Sequence, residues 1–569
     1  MQDVQNEELL QQFSGLPYDV DLDRDELLHE IFEVSVKNFS GKIAVESGSV
    51  KITYQELNSR ANKLAHYLRG IGVGHEDRVA LFLPKTEFVY VAMLGVLKAG
   101  AAYVPLDPAY PPDRVGFILE DCAARLCITD AALLDALGQE VGDTPVFLAD
   151  RDGPGLAGQP DTPLSREQTG LGRQSLCYVI YTSGTTGRPK GCLIEHRNIC
   201  SLVRSEAKVY GINAEDRVFQ CASTAFDASL EEIWMAFLHG ATLVAGTKEI
   251  MRTGPMLGQA LNQRGVTVLS CVPTLLSMIE GDIDTMRILI VGGEACPKDL
   301  AARWHRPTRT IFNSYGPTET TVAATYGILV PNRPVTIGQA LPNYRCYILD
   351  EKLDPVPPGA EGELYIGGPG VARGYLNRDD LTRDRFITTE RVTGEPVRLY
   401  RTGDLARFTE DGDIDYLGRA DDQVKVRGYR IELSEIEAVL MQCPGVQCAA
   451  VTMWRETGQL AAYVVARQGT RLNLGFMRET VARRLPPYMM PATLDVIAEL
   501  PLLTSGKVNR KALPAPVDPF EDRDRQVTAP RNQAERDVAG VWEEVFKRKG
   551  LSVTRSEEHT SELQSHLNL

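Results

Sequence analysis

The sequence lacks the features that mark membrane, secreted and nucleic-acid-binding proteins. Its most membrane-like segment, residues 88–97, stops at Lys98 and is far shorter than the roughly 20 apolar residues of a spanning helix. The eleven cysteines include no Cys-x-x-Cys pair and follow no signal peptide, so we expect reduced, buried thiols of a cytoplasmic protein. Basic residues are not in excess, because 61 Lys and Arg face 76 Asp and Glu. The formal charge of −15 argues against nucleic acid as a main partner.

What is present is typical of an ordinary globular chain. Its 569 residues, 43% hydrophobic and 24% charged, are enough for roughly three or four domain-sized units. Strand-like apolar runs alternate with helical stretches, which predicts a layered α/β body. The elements expected from this pattern are residues 52–68, 79–83, 87–99, 102–104, 115–122, 126–129, 218–221, 230–238, 242–244, 266–271 and 288–291.

A loop rich in glycine and threonine follows the apolar run 176–180. Residues 181–191 read Tyr-Thr-Ser-Gly-Thr-Thr-Gly-Arg-Pro-Lys-Gly, and we call residues 182–190 the Gly/Thr loop. Its glycines allow close approach of the backbone to a ligand, its hydroxyls donate hydrogen bonds, and Lys190 adds a mobile positive charge. The loop therefore indicates phosphate binding, although a Gly/Thr-rich surface turn is the alternative. The glycine spacing and Gly191 after Lys190 exclude a P-loop NTPase.

Further stretches agree with one family in order and spacing. They are Leu-Lys-Ala-Gly-Ala-Ala-Tyr-Val-Pro-Leu-Asp-Pro at 97–108, Asn-Ser-Tyr-Gly-Pro-Thr-Glu-Thr at 313–320, Gly-Glu-Leu-Tyr-Ile-Gly-Gly at 362–368, Tyr-Arg-Thr-Gly-Asp-Leu at 400–405, Gly-Arg-Ala-Asp-Asp-Gln-Val-Lys-Val-Arg-Gly-Tyr-Arg-Ile-Glu at 418–432 and Leu-Thr-Ser-Gly-Lys-Val-Asn-Arg at 503–510. Together with the Gly/Thr loop, the chain resembles an adenylation domain of the nonribosomal peptide synthetases, which are adenylate-forming enzymes. The set of substrate-pocket residues around Glu231, given below, is also similar to that of the synthetases that make poly-lysine or poly-ornithine.

The resemblance implies the adenylate-forming fold, a large α/β body followed by a small α+β lid. We expect a leader at 1–30, the large subdomain at 31–418, the lid at 419–513, a Pro-rich acidic linker at 514–528 and the start of a carrier domain at 529–554. The carrier resemblance stops before any Gly-Gly-x-Ser, so the serine for phosphopantetheine is not intact in this chain. Residues 555–569 resemble a translated sequencing adapter and are expected to be a non-native tail.

The same resemblance implies that an amino acid carboxylate attacks ATP, pyrophosphate leaves, and the aminoacyl-adenylate passes to a carrier thiol. Positioning and charge neutralisation carry such chemistry, so no protein nucleophile is needed. Lys507, Glu319, Thr182 and Lys190 are the implied catalytic residues, Glu319 is the implied Mg²⁺ ligand, and Asp421 is the implied hinge of the lid. The residues implied to bind ATP are Thr182, Ser183, Gly184, Thr185, Thr186, Gly187, Lys190, Gly293, Glu294, Ala295, Asn313, Tyr315, Gly316, Thr318, Asp404 and Arg419.

The amino acid substrate is predicted from a second set of positions. Asp227 is a plausible helix cap, and Glu231 lies four residues later on the same helix face. By resemblance Asp227 binds the α-ammonium, while a buried Glu231 requires a cationic partner. This indicates a basic amino acid, lysine first and ornithine second, since one methylene is worth only ~1 kcal/mol. The implied pocket is Asp227, Ala228, Glu231, Ser270, Ile290, Gly292, Ser314, Val322, Ala323 and Lys507.

Two other functions remain open at this point. An acyl- or aryl-CoA ligase of the same superfamily would not need Asp227, and a nucleotide-binding module without catalysis would not need Lys507. The expected partners are the basic amino acid and a carrier domain, in cis or in trans, with no nucleic acid and no membrane segment in the chain. Pyrophosphate exchange with each amino acid distinguishes the three functions.

Overall fold

A computed structural model describes residues 15, 17–184, 187–454, 456–502, 508–516 and 528–545. These residues fall into two units: the larger runs to Gly184 and over Arg188–Glu432, and the smaller holds Gly187 and the described residues from Leu433 onward. Residues 419–432, expected in the lid, thus belong to the larger unit. Half of the predicted leader, residues 1–14 and 16, and the whole predicted tail 555–569 lie outside the described residues.

A nine-stranded sheet runs through the larger unit. Its six central strands are parallel, and an antiparallel strand or pair closes each edge. In spatial order the strands are Gln339–Ala340, Thr325–Ile328, Thr310–Tyr315, Ile288–Gly292, Val268–Cys271, Arg217–Gln220, Thr242–Ala245, Ile43–Ser47 and Val50–Thr53. Because parallel strands end at the same edge of a sheet, the residues at their carboxyl ends lie side by side there.

A seven-stranded sheet and a five-stranded sheet complete this layer architecture. The seven strands are Gly374–Tyr375, Lys190–Glu195, Leu176–Thr182, Ala102–Leu106, Arg78–Phe82, Leu126–Thr129 and Val146–Leu148. The five antiparallel strands are Arg345–Leu349, Gly362–Gly367, Val397–Phe408, Phe386–Thr389 and Ile414–Arg419. A short hairpin, Val424–Val426 with Tyr429–Ile431, ends the larger unit.

Helices with buried faces pack on these sheets. The helix Tyr54–Gly70 begins at a capping box formed by Thr53 and Glu56. In this box each side chain accepts a hydrogen bond from the backbone N–H of the other residue. The α-helices of this unit are Leu28–Phe39, Tyr54–Gly70, Glu87–Ala99, Pro112–Asp121, Ala131–Leu137, Arg166–Thr169, His196–Tyr210, Ala228–His239, Lys248–Met251, Leu257–Gln263, Pro273–Met278, Lys298–Trp304 and Asp379–Arg385.

The smaller unit is an α+β arrangement around a three-stranded sheet. Its strands are Val446–Trp454, Gln459–Ala466 and Thr493–Val496, the last two parallel. The helices are Leu433–Met441, Leu474–Arg484 and Gln533–Val545. The last of these lies within residues 529–554, where the sequence predicted the first carrier helix.

The predicted fold class is confirmed, with a large α/β body and a smaller α+β unit. The helix expected from residue 52 starts at Tyr54, because residues 50–53 pair as an edge strand. All eleven cysteines are free. Among the residues described, no helix combines the length and the apolar character needed to cross a bilayer.

Candidate active site

The Gly/Thr loop joins two antiparallel strands, and its ends Thr182 and Lys190 pair directly across the ladder. The Ser183 hydroxyl donates to the Arg430 carbonyl at 2.8 Å and accepts from the Glu432 N–H at 3.1 Å, which fixes the start of the loop. The Thr182 hydroxyl is buried and has no hydrogen-bond partner within the described residues. A buried donor of this kind fits a ligand oxygen at the loop. Thr185 and Thr186, two of the predicted donors, lie outside the described residues.

Glu319 is the centre of a buried ionic cluster next to the loop. Its carboxylate accepts from Lys190 Nζ at 3.1 Å, from the Tyr375 hydroxyl at 2.6 Å and from Arg430 Nη1 at 2.8 Å. Burial alone would raise the pKa of Glu319, but Arg430 and Lys190 hold it well below its usual value. Two cations contact one carboxylate here, so the cluster favours an additional anion such as a phosphate group.

The side chain of Lys190 is held in place, whereas the sequence predicted a mobile one. Its side chain is 6% exposed, ion-paired with Glu319 and placed 4.3 Å from the centre of the Tyr375 ring. The prediction of a mobile charge is therefore wrong, because burial removes the freedom that an exposed lysine has. Its ammonium is instead fixed at the base of the loop.

Asp404 lies at the second predicted part of the nucleotide site. Its carboxylate accepts from the Tyr315 hydroxyl at 2.5 Å, from Arg419 Nη1 at 3.0 Å and from the Tyr416 hydroxyl at 3.3 Å. Arg419 also holds Asp421 through two hydrogen bonds of 2.6 Å. The structure thus brings Asp404, Tyr315 and Arg419 together, as expected for residues of one site.

The remaining predicted adenine residues lie on neighbouring segments. Asn313 Nδ2 donates to the Thr336 carbonyl at 2.7 Å. Glu294 accepts from the Thr274 N–H at 3.0 Å and from the Gly428 N–H at 2.7 Å, so its carboxylate joins the segment of Gly293 and Ala295 to the hairpin 424–431. These contacts fix the segment around Glu294.

Four predicted substrate-pocket residues come from three adjacent parallel strands. Ser270 pairs with Ile290, and Gly292 pairs with Ser314, so the four occupy the carboxyl ends of neighbouring strands. This edge of a parallel sheet is where α/β proteins bind their ligands. The spacing of these residues in the sequence is wide, and the sheet brings them together.

Asp227 connects this edge to the ionic cluster. It caps helix Ala228–His239, accepting from the Ala228 N–H at 2.9 Å and from the Thr318 hydroxyl. Thr318 immediately precedes Glu319 in the chain. Thr318 contacts Asp227, the predicted amine-binding carboxylate, and Glu319 is the centre of the ionic cluster. Burial raises the pKa of Asp227, while Thr318 opposes that effect.

Glu231 lies one turn into the same helix, 3% exposed. It accepts from the Ser270 hydroxyl at 3.0 Å and from the Tyr210 hydroxyl at 3.2 Å. No Lys, Arg or His in the described ranges forms an ion pair with it, and burial raises its pKa to about 7. Its hydrogen-bond donors among the described residues are thus neutral hydroxyls, and its charged neighbours Glu206 and Asp227 are acids. The position of a counter-ion is left to a ligand.

The loop 316–323 holds the last pocket positions in an uncommon backbone conformation. Thr321 and Val322 both have positive φ, +62° and +66°, which is strained for a β-branched residue. A Cβ on Gly316 would lie 2.5 Å from the Val322 carbonyl oxygen, so only glycine allows this closure. Such strain is typical of functional loops, and here it fixes Val322 and Ala323.

Sequence reasoning gave no role to several residues that complete the site. Arg430 and Lys425 lie in the quoted stretch 418–432, so the family motif contained that signal; Lys425 Nζ sits 5.5 Å from the centre of the Tyr315 ring. Tyr375 and Tyr210 had no sequence signal, because their distance along the chain from Glu319 and Glu231 hides the contact. Lys507 lies outside the described residues.

Comparison with known proteins agrees with this geometry. Residues 32–376 match the AMP-binding enzyme family, and residues 435–507 match the AMP-binding enzyme C-terminal domain. The chain is 40% identical over 532 residues to delta-poly-L-ornithine synthetase of Acinetobacter baumannii, covering 92% of this chain and 39% of that protein. It is 38% identical over 546 residues to bacitracin synthase 3 of Bacillus licheniformis, covering 92% of this chain and 8% of that protein.

A solved structure shows the same architecture. An artificially fused adenylation-PCP di-domain nonribosomal peptide synthetase from Klebsiella oxytoca superimposes with a TM-score of 0.73 at 25% identity, covering 93% of this chain and 99% of that chain. The chain belongs to the family of AMP-binding enzymes. Within that family it is an adenylation domain of the nonribosomal peptide synthetase kind, an amino-acid-adenylating ligase. It spans less than half the length of either curated relative.

Proposed function

We propose that the domain activates an amino acid with a cationic side chain, lysine first and ornithine second, as its aminoacyl-adenylate. The observation that carries this proposal is Glu231, a carboxylate 3% exposed whose donors among the described residues are two hydroxyls and whose charged neighbours are acids. A buried charge without a counter-ion is costly, and a substrate ammonium supplies that counter-ion. The 40% identity to a poly-ornithine synthetase supports a basic substrate.

The nucleotide is placed by the two polar groups of the site. The pyrophosphate part of ATP would lie at the Gly/Thr loop, where the Thr182 hydroxyl has no partner among the residues that the structure describes and Lys190 and Arg430 supply positive charge. The ribose hydroxyls would donate to the Asp404 carboxylate, in place of protein hydroxyl donors such as Tyr416. Fixed charges of this kind stabilise the developing negative charge during phosphoryl transfer.

Mg²⁺ belongs to the same proposal. Both oxygens of Glu319 already accept hydrogen bonds, and the described residues form no group of three metal-binding side chains. A Mg²⁺ ion at Glu319 would therefore take most of its ligands from phosphate and water, as this ion commonly does. When bound, it would neutralise phosphate charge.

Asp227 completes the amino acid site. We place the substrate α-ammonium against its carboxylate, which faces Thr318 beside the ionic cluster. This arrangement separates the proposal from an acyl- or aryl-CoA ligase, whose substrates carry no such amine. The adenylate would then pass to a phosphopantetheine carrier, in cis or in trans in the cytoplasm, with Asp421 as the hinge and Lys507 as a catalytic residue.

Replacing Glu231 with Gln tests the substrate class. We expect kcat/KM for lysine and ornithine to fall about 10- to 100-fold, because a charge-assisted contact in a buried site is worth roughly 1.5–3 kcal/mol. ATP–pyrophosphate exchange across a panel of amino acids measures this change. A panel in which the variant keeps its preference for basic amino acids contradicts the proposal. Glu215→Gln, at a residue whose side chain is 91% exposed, is the control.

The pH dependence of lysine activation gives a second test. Burial raises the pKa of Glu231 to about 7, so the group is neutral below that pH and charged above it. The groups that face it are Glu206, Tyr210, Asp227 and Ser270. Since lysine stays cationic up to about pH 10, kcat/KM for lysine should rise between about pH 6 and 8. The profile of Glu231→Gln should lack this rise, and an identical rise in both proteins would assign it to another group.

A further inference from the structure

Three buried glutamates on two helices that pack together have very different partners. Glu206 is on helix His196–Tyr210, while Glu231 and Glu232 are on helix Ala228–His239, and their exposures are 1%, 3% and 1%. Glu232 accepts from the backbone N–H groups of Cys221 at 3.0 Å and Ala222 at 3.2 Å and from Gln220 Nε2 at 3.1 Å. It is satisfied by the fold itself, as buried carboxylates usually are.

Glu206 is the exception. Neither of its carboxylate oxygens accepts a hydrogen bond from an N–H or O–H group of the described residues. Its one hydrogen-bond neighbour is the acid Glu231, and a bond between two carboxyl groups requires a proton on one of them. It precedes Tyr210 by one helical turn, so both side chains are on the helix face that meets Glu231. The hydroxyl of Tyr344 is likewise buried without a partner, and the charge of Glu206 acts on it.

We propose that Glu206 is a further specificity-determining residue, which together with Glu231 forms a two-carboxylate site for the terminal primary ammonium of the substrate side chain. This inference rests on the proposed function and adds a residue that the sequence analysis did not contain. Its basis is a buried acid that receives no hydrogen bond from an N–H or O–H group of the described residues and lies beside Glu231, the carboxylate that already requires a cation.

The chemistry of the pair favours an ammonium ion. A primary ammonium has three N–H donors, and within the described part of the chain the two oxygens of Glu206 and the Tyr344 hydroxyl receive no N–H or O–H donor. A bound metal is disfavoured, because the described residues form no group of three His, Cys, Asp or Glu. Burial and the charge of Glu231 raise the pKa of Glu206 well above its ordinary value. Two bare negative charges on the pair are therefore disfavoured, and a bound cation would offset them.

The test is ATP–pyrophosphate exchange with lysine, ornithine and norleucine, the uncharged analogue of lysine. It compares the wild type with Glu206→Gln, Glu231→Gln and the double variant. We expect Glu206→Gln to lower the lysine-to-norleucine ratio of kcat/KM about 10-fold or more, with KM for ATP unchanged. The double variant should lose less than the product of the two single losses, because both residues bind one group. Glu232→Gln is the matched control: it should lower Tm and leave the ratio unchanged.

A charge-conserving variant protects the test from a failure to fold. Glu206→Asp draws the carboxylate back by one methylene, so preference should move several-fold from ornithine towards lysine. A wild type that activates lysine or ornithine while both Glu206 variants keep its ratios overturns the assignment of Glu206 and leaves the proposed function standing. A wild type that activates no cationic amino acid overturns both.

Discussion

Glu319→Gln is expected to lower the free energy of unfolding of the larger unit by about 3–5 kcal/mol. The substitution removes the carboxylate that Lys190 and Arg430 both contact while leaving the two cations buried, at 6% and 14% exposure. Urea unfolding of the purified protein measures the change. Because the two units can unfold separately, the transition of the larger unit must be followed on its own.

The cluster has two cations, Lys190 and Arg430, for the one carboxylate of Glu319, so removal of a cation and removal of the carboxylate should have unequal effects on stability. Lys190→Met leaves one cation, Arg430, against one carboxylate, so its loss of stability should be smaller than that of Glu319→Gln. Glu215→Gln removes a surface pair with Lys42, whose effect should stay below about 1 kcal/mol. Equal losses for Glu319→Gln and Glu215→Gln would show that the buried cluster does not support the fold.

The pKa of Glu319 predicts the direction of the acid response. Because that pKa is held well below its ordinary value of 4.5, the contribution of Glu319 is fully present above about pH 4.5. It is lost only as the pH falls towards the depressed value. Wild type and Glu319→Gln should therefore differ most in stability near neutral pH and approach each other in strong acid.

Lys507→Ala is expected to lower the rate of adenylation about 100- to 1000-fold without loss of stability. The substrate carboxylate and the polyphosphate are both anions, so their approach is repulsive. One ammonium placed between them relieves that repulsion in the transition state. We propose that Lys507 supplies this ammonium; the residue lies outside the described residues.

Lys511 supplies the matched control for this variant. It is exposed and four residues further along the chain, so Lys511→Ala changes the same charge close by. Pyrophosphate exchange and thermal unfolding are measured for both. Wild-type exchange in Lys507→Ala, or an equal loss in Lys511→Ala, would remove the assigned role.

Much of the fold was readable from the sequence, because local patterns set it. Helix Glu87–Ala99 and strand Leu126–Thr129 have the bounds that their apolar patterns predict. The capping position of Asp227 also followed from local preference. Element edges were less readable where pairing decides them, as at residues 50–53, which form an edge strand before the helix.

The candidate site divides in the same way. The sequence by itself pointed to the Gly/Thr loop through its residues and to Glu319, Asp404 and Asp227 through the family resemblance, since each lies in a short stretch that can be compared locally. Only the tertiary structure decided that Lys190 is a buried partner of Glu319 and that Arg430 joins them. It alone placed Glu206 beside Glu231 on a neighbouring helix. The physical reason is that burial and charge pairing depend on segments far apart in the chain, and sequence order carries no information about which of them the sheets bring together.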